Sequence, residues 1–243
     1  MADAGKSARP LGELIGGWTP PSPPDADAVL EGSYVRLEPL SAEAHAALLF
    51  RSYEGHDWVW DYLPYGPFHS AAAYHRWVKE VAGQPDPFFL AIYNKEARAF
   101  QGVASLMRVK PEAGSIEVGH INMSPALQQT RAATEAMYLF LQWAFDAGYR
   151  RFEWKCDALN LPSRRAAQRL GLSFEGVFRQ HVVVKGRNRD TAWFAATDKD
   201  WPSLREAFRV WLNPANFDGA GRQKESLADL TRLVRVSGDP ELN

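Results

Sequence analysis

A single cysteine, Cys156, stands in a chain of 243 residues. No disulfide can close within it, and a reducing, cytoplasmic setting is the simplest expectation. The chain also lacks an excess of either charge: 28 Lys and Arg stand against 29 Asp and Glu, a formal net charge of -1. A nucleic-acid partner calls for a basic face, so none is expected. No run approaches the roughly 18–20 continuous apolar residues of a spanning helix. Met1–Pro10 has no apolar stretch of the kind a secretory signal needs, so neither a membrane association nor a signal peptide is expected. The histidines show no metal-ligand spacing, and no metal is expected. No Gly-x-Gly-x-x-Gly follows a strand-like run, which argues against a dinucleotide fold.

What is present is an ordinary globular composition, 46% hydrophobic and 23% charged, in a chain long enough for a substantial core. Residues 1–30 contain Pro10, Pro20, Pro21, Pro23 and Pro24 and read as an extended arm, with Gly17–Pro20 positioned to pin it to the body. A domain over 31–213 follows, and 214–243 read as a polar tail with a short helix near Leu227–Leu233. Tyr34–Glu38 alternates as a strand. Ser41 caps a helix to about Tyr53, and a second helix spans Ser70–Ala82. Between them lies an aromatic loop, 56–68. Strands are predicted over Phe88–Tyr93, Phe100–Val109 and Ser115–Met123.

Thr130–Ala147 is the strongest helix, with Ala133, Met137, Phe140, Leu141, Ala144 and Phe145 on one stripe and Gly148 as a left-handed cap. Arg151–Cys156 is a strand and Leu161–Leu170 a helix stopped by Gly171. Phe174–Val184 and Thr191–Thr197 pair around Lys185–Asn188, and Asp200–Pro202 opens a last helix to about Leu212. The order strand, polar turn, helix, strand, helix over Ile116–Leu172 builds a cofactor site. The helix start after Gln128 offers unpaired N–H groups and the positive end of the macrodipole, which hold phosphate.

Four pieces in order and spacing resemble the GNAT acyltransferases over about residues 32–198: Ile116–His120 on a strand; Gln128–Ala136 at the family's phosphate-binding turn; Asn160-x-x-Ser163 followed by Arg169–Gly176; and Phe178–Arg179 with Lys185–Asp190 in the last hairpin. The closest likeness is to the ribosomal-protein N-terminal acetyltransferase (RimJ/RimL-like) branch. The resemblance implies an α+β fold, a mixed and mostly antiparallel sheet flanked by helices and splayed open between the strands at 115–123 and 151–156. It implies acetyl-CoA as co-substrate, lying along the backbone of Ile121, Asn122 and Met123, and a direct transfer to a primary amine, small molecule or protein N-terminus, in a ternary complex. The phosphates would meet Gln128, Gln129, Thr130, Arg131, Ala132, Ala133 and Thr134, with Asn160 on the pantetheine and Arg165, with Arg164, toward the nucleotide. Monomer and homodimer are both open.

Two departures stand out. Arg131 occupies the turn's usual glycine position, where it either forks onto phosphate or is a solvated charge. Ala167 occupies the place of the tyrosine that many relatives use as acid, which leaves Ser163 or water to protonate the leaving thiolate. Glu117 is the first candidate for general base, unless it faces solvent or pairs with a neighbour such as Arg108; His120 is the second. Trp58, Trp60, Tyr62 and Tyr65 are candidates to receive a cationic amine, or else bury the loop. Cys156 reads as a packed strand residue. The alternatives are a non-catalytic acyl-CoA-binding relative and, more distantly, a generic nucleotide-binding α/β domain.

Overall fold

The computed structural model describes residues 9–242; Met1–Ala8, the first part of the expected arm, and Asn243 lie outside the described residues. Strands β1 (Leu30–Glu31), β2 (Val35–Pro39), β3 (Phe88–Asn94), β4 (Ala99–Lys110), β5 (Ser115–Met123), β6 (Arg151–Asp157), β7 (Ser173–Val184) and β8 (Arg187–Thr197) form one sheet in the order β1-β2-β3-β4-β5-β6-β8-β7. Every neighbouring pair is antiparallel except β5 and β6. That parallel pair needs a crossover, and α3 (Arg131–Asp146) supplies it. Helices α1 (Ala42–Tyr53) and α2 (Ala71–Val81) precede β3; α4 (Leu161–Arg169), α5 (Trp201–Leu212) and α6 (Leu227–Arg232) complete the fold.

Two cores lie on the two faces of the sheet. On one, Leu90, Ile92, Leu106, Ile116, Val118, Phe152, Trp154 and Phe194 meet α3, α4 and α5 through Met137, Phe140, Ala167, Leu204 and Phe208. On the other, Phe89, Ala91 and Val103 meet α1 and α2 through Ala46, Leu49, Tyr53, Tyr74 and Trp77. The period-two alternation of the strands does this sorting. Helix α3 is buried beyond its expected stripe, at Ala132, Ala136 and Leu139 as well, because α5 covers a second side and Trp201 stacks on Phe145 at 5.2 Å.

Side-chain caps set three helix starts, Ser41 as the sequence predicts. Ser41, Ser70 and Thr130 accept from the N–H groups of Ala44, Ala73 and Ala133. Gly148 takes φ 96° beyond α3. Asp200 differs: its carboxylate accepts from the Thr197 N–H and hydroxyl, both at 2.8 Å, and so closes the turn before α5 instead of capping it. The arm is pinned where expected, with Trp18 Nε1 donating to the Gly148 carbonyl at 3.1 Å and the Tyr149 hydroxyl donating to the Ser22 carbonyl at 3.2 Å.

The segment read as a polar tail folds back onto the domain. The Val236 N–H donates to Ser173 Oγ and the Ser237 hydroxyl donates to the Phe174 carbonyl. Asp239, fully buried, takes both Nε and Nη2 of Arg164, at 2.6 and 2.5 Å. Leu227 is fully buried in the main core, and Phe217, Leu230 and Val234 pack against it; these apolar residues are spaced among polar ones, so composition alone conceals the docking.

Candidate active site

The sheet opens between β5 and β6. Their register runs Ser115–Arg151, Ile116–Phe152, Glu117–Glu153 and Val118–Trp154, and then stops. Past that point β5 is paired with β4 alone and β6 with β8 alone. A bulge causes the divergence. Val103 pairs with Asn122 and Ser105 with Gly119, so Ala104 faces two residues, His120 and Ile121, and His120 takes φ 51°. The extra residue raises the local twist and turns the strand aside. Ile121–Met123 thus present a sheet edge inside the molecule, where an extended chain bearing amides can add as a strand.

The turn into α3 lies at the end of this edge. The Gln128 N–H donates to the Ser124 carbonyl at 3.1 Å, Gln129 takes φ 61°, and the Gln128 side chain donates to the Met123 carbonyl at 2.9 Å. Among the described residues, the N–H groups of Gln129, Arg131 and Ala132 meet no protein acceptor. Unpaired N–H groups at a helix start suit an anion. Thr134 accepts from Arg169 Nη1 at 3.1 Å.

The Arg131 side chain is placed otherwise than expected. Its guanidinium lies between the rings of Tyr34 and Phe217, 4.8 and 4.7 Å from their centres, with Glu96 at 3.9 Å. Aromatic faces hold a cation well, so this arginine is neither aimed into the turn nor simply solvated. Next to it, Glu135 is structural. Its carboxylate accepts from the N–H groups of Ser33, Tyr34 and Val35 at 2.8, 2.5 and 2.9 Å. Gly32 makes room, since a Cβ there would collide with that carboxylate.

Across the opening, Asn160 caps α4 by accepting from the Ser163 N–H at 3.1 Å, leaving its amide N–H groups free for a ligand. Ser163 Oγ accepts from Trp154 Nε1 at 3.0 Å and keeps its own proton to give. Arg164 points away, onto Asp239 and the Ala158 carbonyl. Arg165 is exposed, one turn into α4. Ala167 is fully buried in the main core. Burial pushes the Cys156 thiol up to about 11, with the Ser163 hydroxyl pulling the other way; so high a thiol is a poor nucleophile.

Glu117 pairs with Arg108, the neighbour the sequence offered, and also with Lys155. Arg108 Nη1 donates to both its oxygens at 2.7 and 2.8 Å, and Lys155 Nζ donates to Oε2 at 2.7 Å. Lys155 also reaches Glu153 at 2.6 Å, and Arg151 joins Glu153 to Glu175. Parallel register sets Glu117 directly against Glu153, a like-charge pair that Lys155 neutralises at the last rungs before the opening. His120 sits at the bulge. Its Nδ1 is 3.1 Å from the Tyr65 hydroxyl, its ring stacks on Tyr65 at 5.5 Å, and Phe89 packs at 5.1 Å. Burial, with the charges of Arg108 and Arg189, pulls its pKa down to about 4. The imidazole is therefore neutral at physiological pH, with one nitrogen able to take a proton.

The aromatic loop divides. Tyr65 reaches His120, and the Tyr62 hydroxyl donates to the Leu159 carbonyl at 3.2 Å. Trp60 is buried among Tyr53, Tyr65, Phe68 and Tyr74, and Trp58 is half exposed beside His56. Lys185, at the tip of the β7–β8 hairpin, donates to the Trp60 carbonyl at 2.8 Å. Three contributors lay outside the sequence expectation. Tyr53 donates to the Asn122 carbonyl at 3.0 Å, Lys155 on β6 holds Glu117 just past the last β5–β6 rung, and Arg189 on β8 has its Nε buried without an acceptor. The alternation Arg151, Glu153, Lys155 against Phe152, Trp154, Cys156 was the signal for Lys155; nothing local marked Tyr53. Among the described residues no His, Cys, Asp and Glu side chains gather to hold a metal, and no helix is long and apolar enough to cross a membrane.

Residues 35–173 match the family model described as acetyltransferase (GNAT) domain. A GCN5-related N-acetyltransferase from Brucella melitensis is 44% identical, with 90% of this chain and all of that one covered, at a TM-score of 0.87. A probable GNAT-family acetyltransferase from Chromobacterium violaceum is 41% identical over 82% of this chain and all of that one, at 0.75. The ribosomal L7/L12 alpha-N-protein acetyltransferase RimL is 17% identical over 73% of this chain and 99% of its own, at 0.61, a likeness of fold. No curated protein matches the chain significantly.

Proposed function

The chain belongs to the GNAT acetyltransferase family, and we propose that it moves the acetyl group of acetyl-CoA onto a primary amine by direct attack in a ternary complex. The observation that carries this reading is the end of β5–β6 pairing after Val118, followed by unpartnered N–H groups at the start of α3. The pantetheine lies along Ile121–Met123 as an added strand, with Asn160 on its far side. The phosphates sit on the turn from Gln128 to Thr134, met by backbone N–H groups, and Arg165 faces the nucleotide end. Arg131 serves by its backbone; its guanidinium holds Tyr34 and Phe217.

The ammonium first loses one proton to solvent, and the neutral amine nitrogen then attacks the thioester carbonyl carbon. Backbone N–H groups of β5 polarise the carbonyl oxygen. The C–N bond forms, the C–S bond breaks, and the electron pair leaves on sulfur. Ser163 gives the thiolate its proton and recovers one from water. The nitrogen, made acidic as the new bond forms, passes its proton to His120, which returns it to the water that reprotonates Ser163. Ammonium and thioester thus become amide, thiol and one released proton. His120 is favoured over Glu117 as base because both carboxylate oxygens of Glu117 are taken by Arg108 and Lys155. Glu117 then holds the last paired rungs, next to the bulge that parts the sheet.

Buried Ala167, in place of a tyrosine acid, favours one second reading, an acyl-CoA-binding protein that does not catalyse. Thiol release from acetyl-CoA separates the two. The acceptors are pooled small amines and an N-terminal peptide, the latter testing the ribosomal-protein branch, and mass spectrometry identifies the product. An acetylated amine is expected, with His120→Gln slower by about a hundredfold, as for loss of a general base. Bound CoA without thiol release for any acceptor would establish the second reading.

A further inference from the structure

The chemistry above gives Arg189 no task, yet its position is exceptional. β8 sends Ala192, Phe194 and Ala196 into the main core, so alternation puts Arg189, Thr191 and Trp193 on the opposite face. Lys155 shares that face: it stands in register with Trp193, and its Nζ lies 4.0 Å from the centre of the indole ring. The charge of Arg189 acts on both His120 and Cys156, lowering each. One residue belongs to the far part of β5 and the other to the far part of β6. Geometry places Arg189 there as well: beyond its last rung with β5, β6 pairs with β8 through Lys155–Trp193 and Asp157–Thr191, which sets Arg189 at the outer end of the opening.

Three other arginines around this opening are engaged, Arg108 by Glu117, Arg151 by Glu153 and Glu175, and Arg164 by Asp239, and Arg165 is exposed to solvent. Arg189 makes no ion pair or side-chain hydrogen bond with any described residue, and its Nε is buried without an acceptor; so is Nε1 of Trp193. A buried donor left unpaired is costly, and a guanidinium fork matches carboxylate and phosphate. The donor brings no negative charge to this point, since its thioester end is neutral. The acceptor is the reactant that can bring a counter-charge there. The approach is also narrow, because Lys185 ties the hairpin to Trp60 and Tyr62 ties the aromatic loop to Leu159.

We propose that the acceptor is a small amine carrying its own anionic group, a carboxylate or phosphate, held by Arg189 with the Trp193 indole N–H as a further donor along the same strand face. This rests on the acetyltransferase reading and narrows its acceptor.

The test compares thiol release from acetyl-CoA by the full chain with α-amino acids, their amides, aminoalkyl phosphates, plain alkylamines and N-terminal peptides. The anionic amines are expected to lead in kcat/KM by tenfold or more, whichever of carboxylate and phosphate fits. Arg189→Gln is expected to raise KM for them by about 10- to 100-fold, the range of a lost charge-assisted contact, with KM for acetyl-CoA unchanged; Arg189→Lys keeps part of the preference. Preference of the parent for amides, alkylamines or peptides overturns the anion subsite and leaves the acetyltransferase reading standing. So does a shift in acetyl-CoA KM in place of acceptor KM. Thiol release with no amine of any class overturns both.

Discussion

Glu117 and His120 are neighbours on one strand with opposite fates. Glu117 is buried with two cations on its oxygens. Removing one member of such a cluster leaves the others uncompensated, at about 3–5 kcal/mol when fully buried. Arg108 is about half exposed, so Glu117→Gln is expected to cost about 2–3 kcal/mol in urea unfolding; an unchanged midpoint would mean that the cluster is slack. His120 is held neutral. The unfolded chain takes up its proton below about 6.5 and the native protein only below about 4. Between those values the unfolded state binds more protons, so stability falls as pH drops through this window, by up to about 3 kcal/mol, and is unaffected above it. Urea titrations at several pH values check this: His120→Gln should flatten that part of the profile, and identical profiles for parent and variant would contradict it. Arg131→Ala loses two aromatic contacts and is expected to cost about 1–2 kcal/mol while CoA affinity stays within about threefold; a large loss of affinity at unchanged stability would return the guanidinium to the phosphates.

At the scale of elements, what could be read from the sequence was local. Ser41, Ser70, Thr130 and Gly148 mark helix ends by their own chemistry, and Phe152, Trp154 and Cys156 mark the buried side of β6. Strand β8 was legible only from Thr191, because Arg187–Asp190 looks like a turn. The turn is in fact Lys185–Gly186, both at positive φ, and the strand begins at Arg187. The partners of Arg131 and Glu135, and the Asp239 partner of Arg164, lie 35 to over 100 residues away, beyond any periodic signal. The Arg164–Asp239 pair joins the C-terminal segment to α4, and Arg164 holds the Ala158 carbonyl just before Asn160. Asp239→Ala is expected to destabilise the protein by about 3–5 kcal/mol, while Arg164→Met with Asp239→Leu costs much less. Equal losses for both variants in denaturant melts would show that the ion pair itself is not what matters there.

Over the whole molecule, one parallel pair in an otherwise antiparallel sheet creates the site. The crossover helix that makes β5 and β6 parallel also places its N-terminus at the edge they expose. The family is shown by the sequence likeness, that arrangement suits its acetyl transfer, and the proposed acceptor rests on Arg189. The account depends most on the donor lying in the gap between β5 and β6. Amide hydrogen exchange, with and without saturating acetyl-CoA, tests this directly. Slowed exchange is predicted in peptides covering residues 119–134 and 155–165, with the outer strands β1 and β2 unchanged; protection absent from 119–134, or concentrated elsewhere, would contradict it.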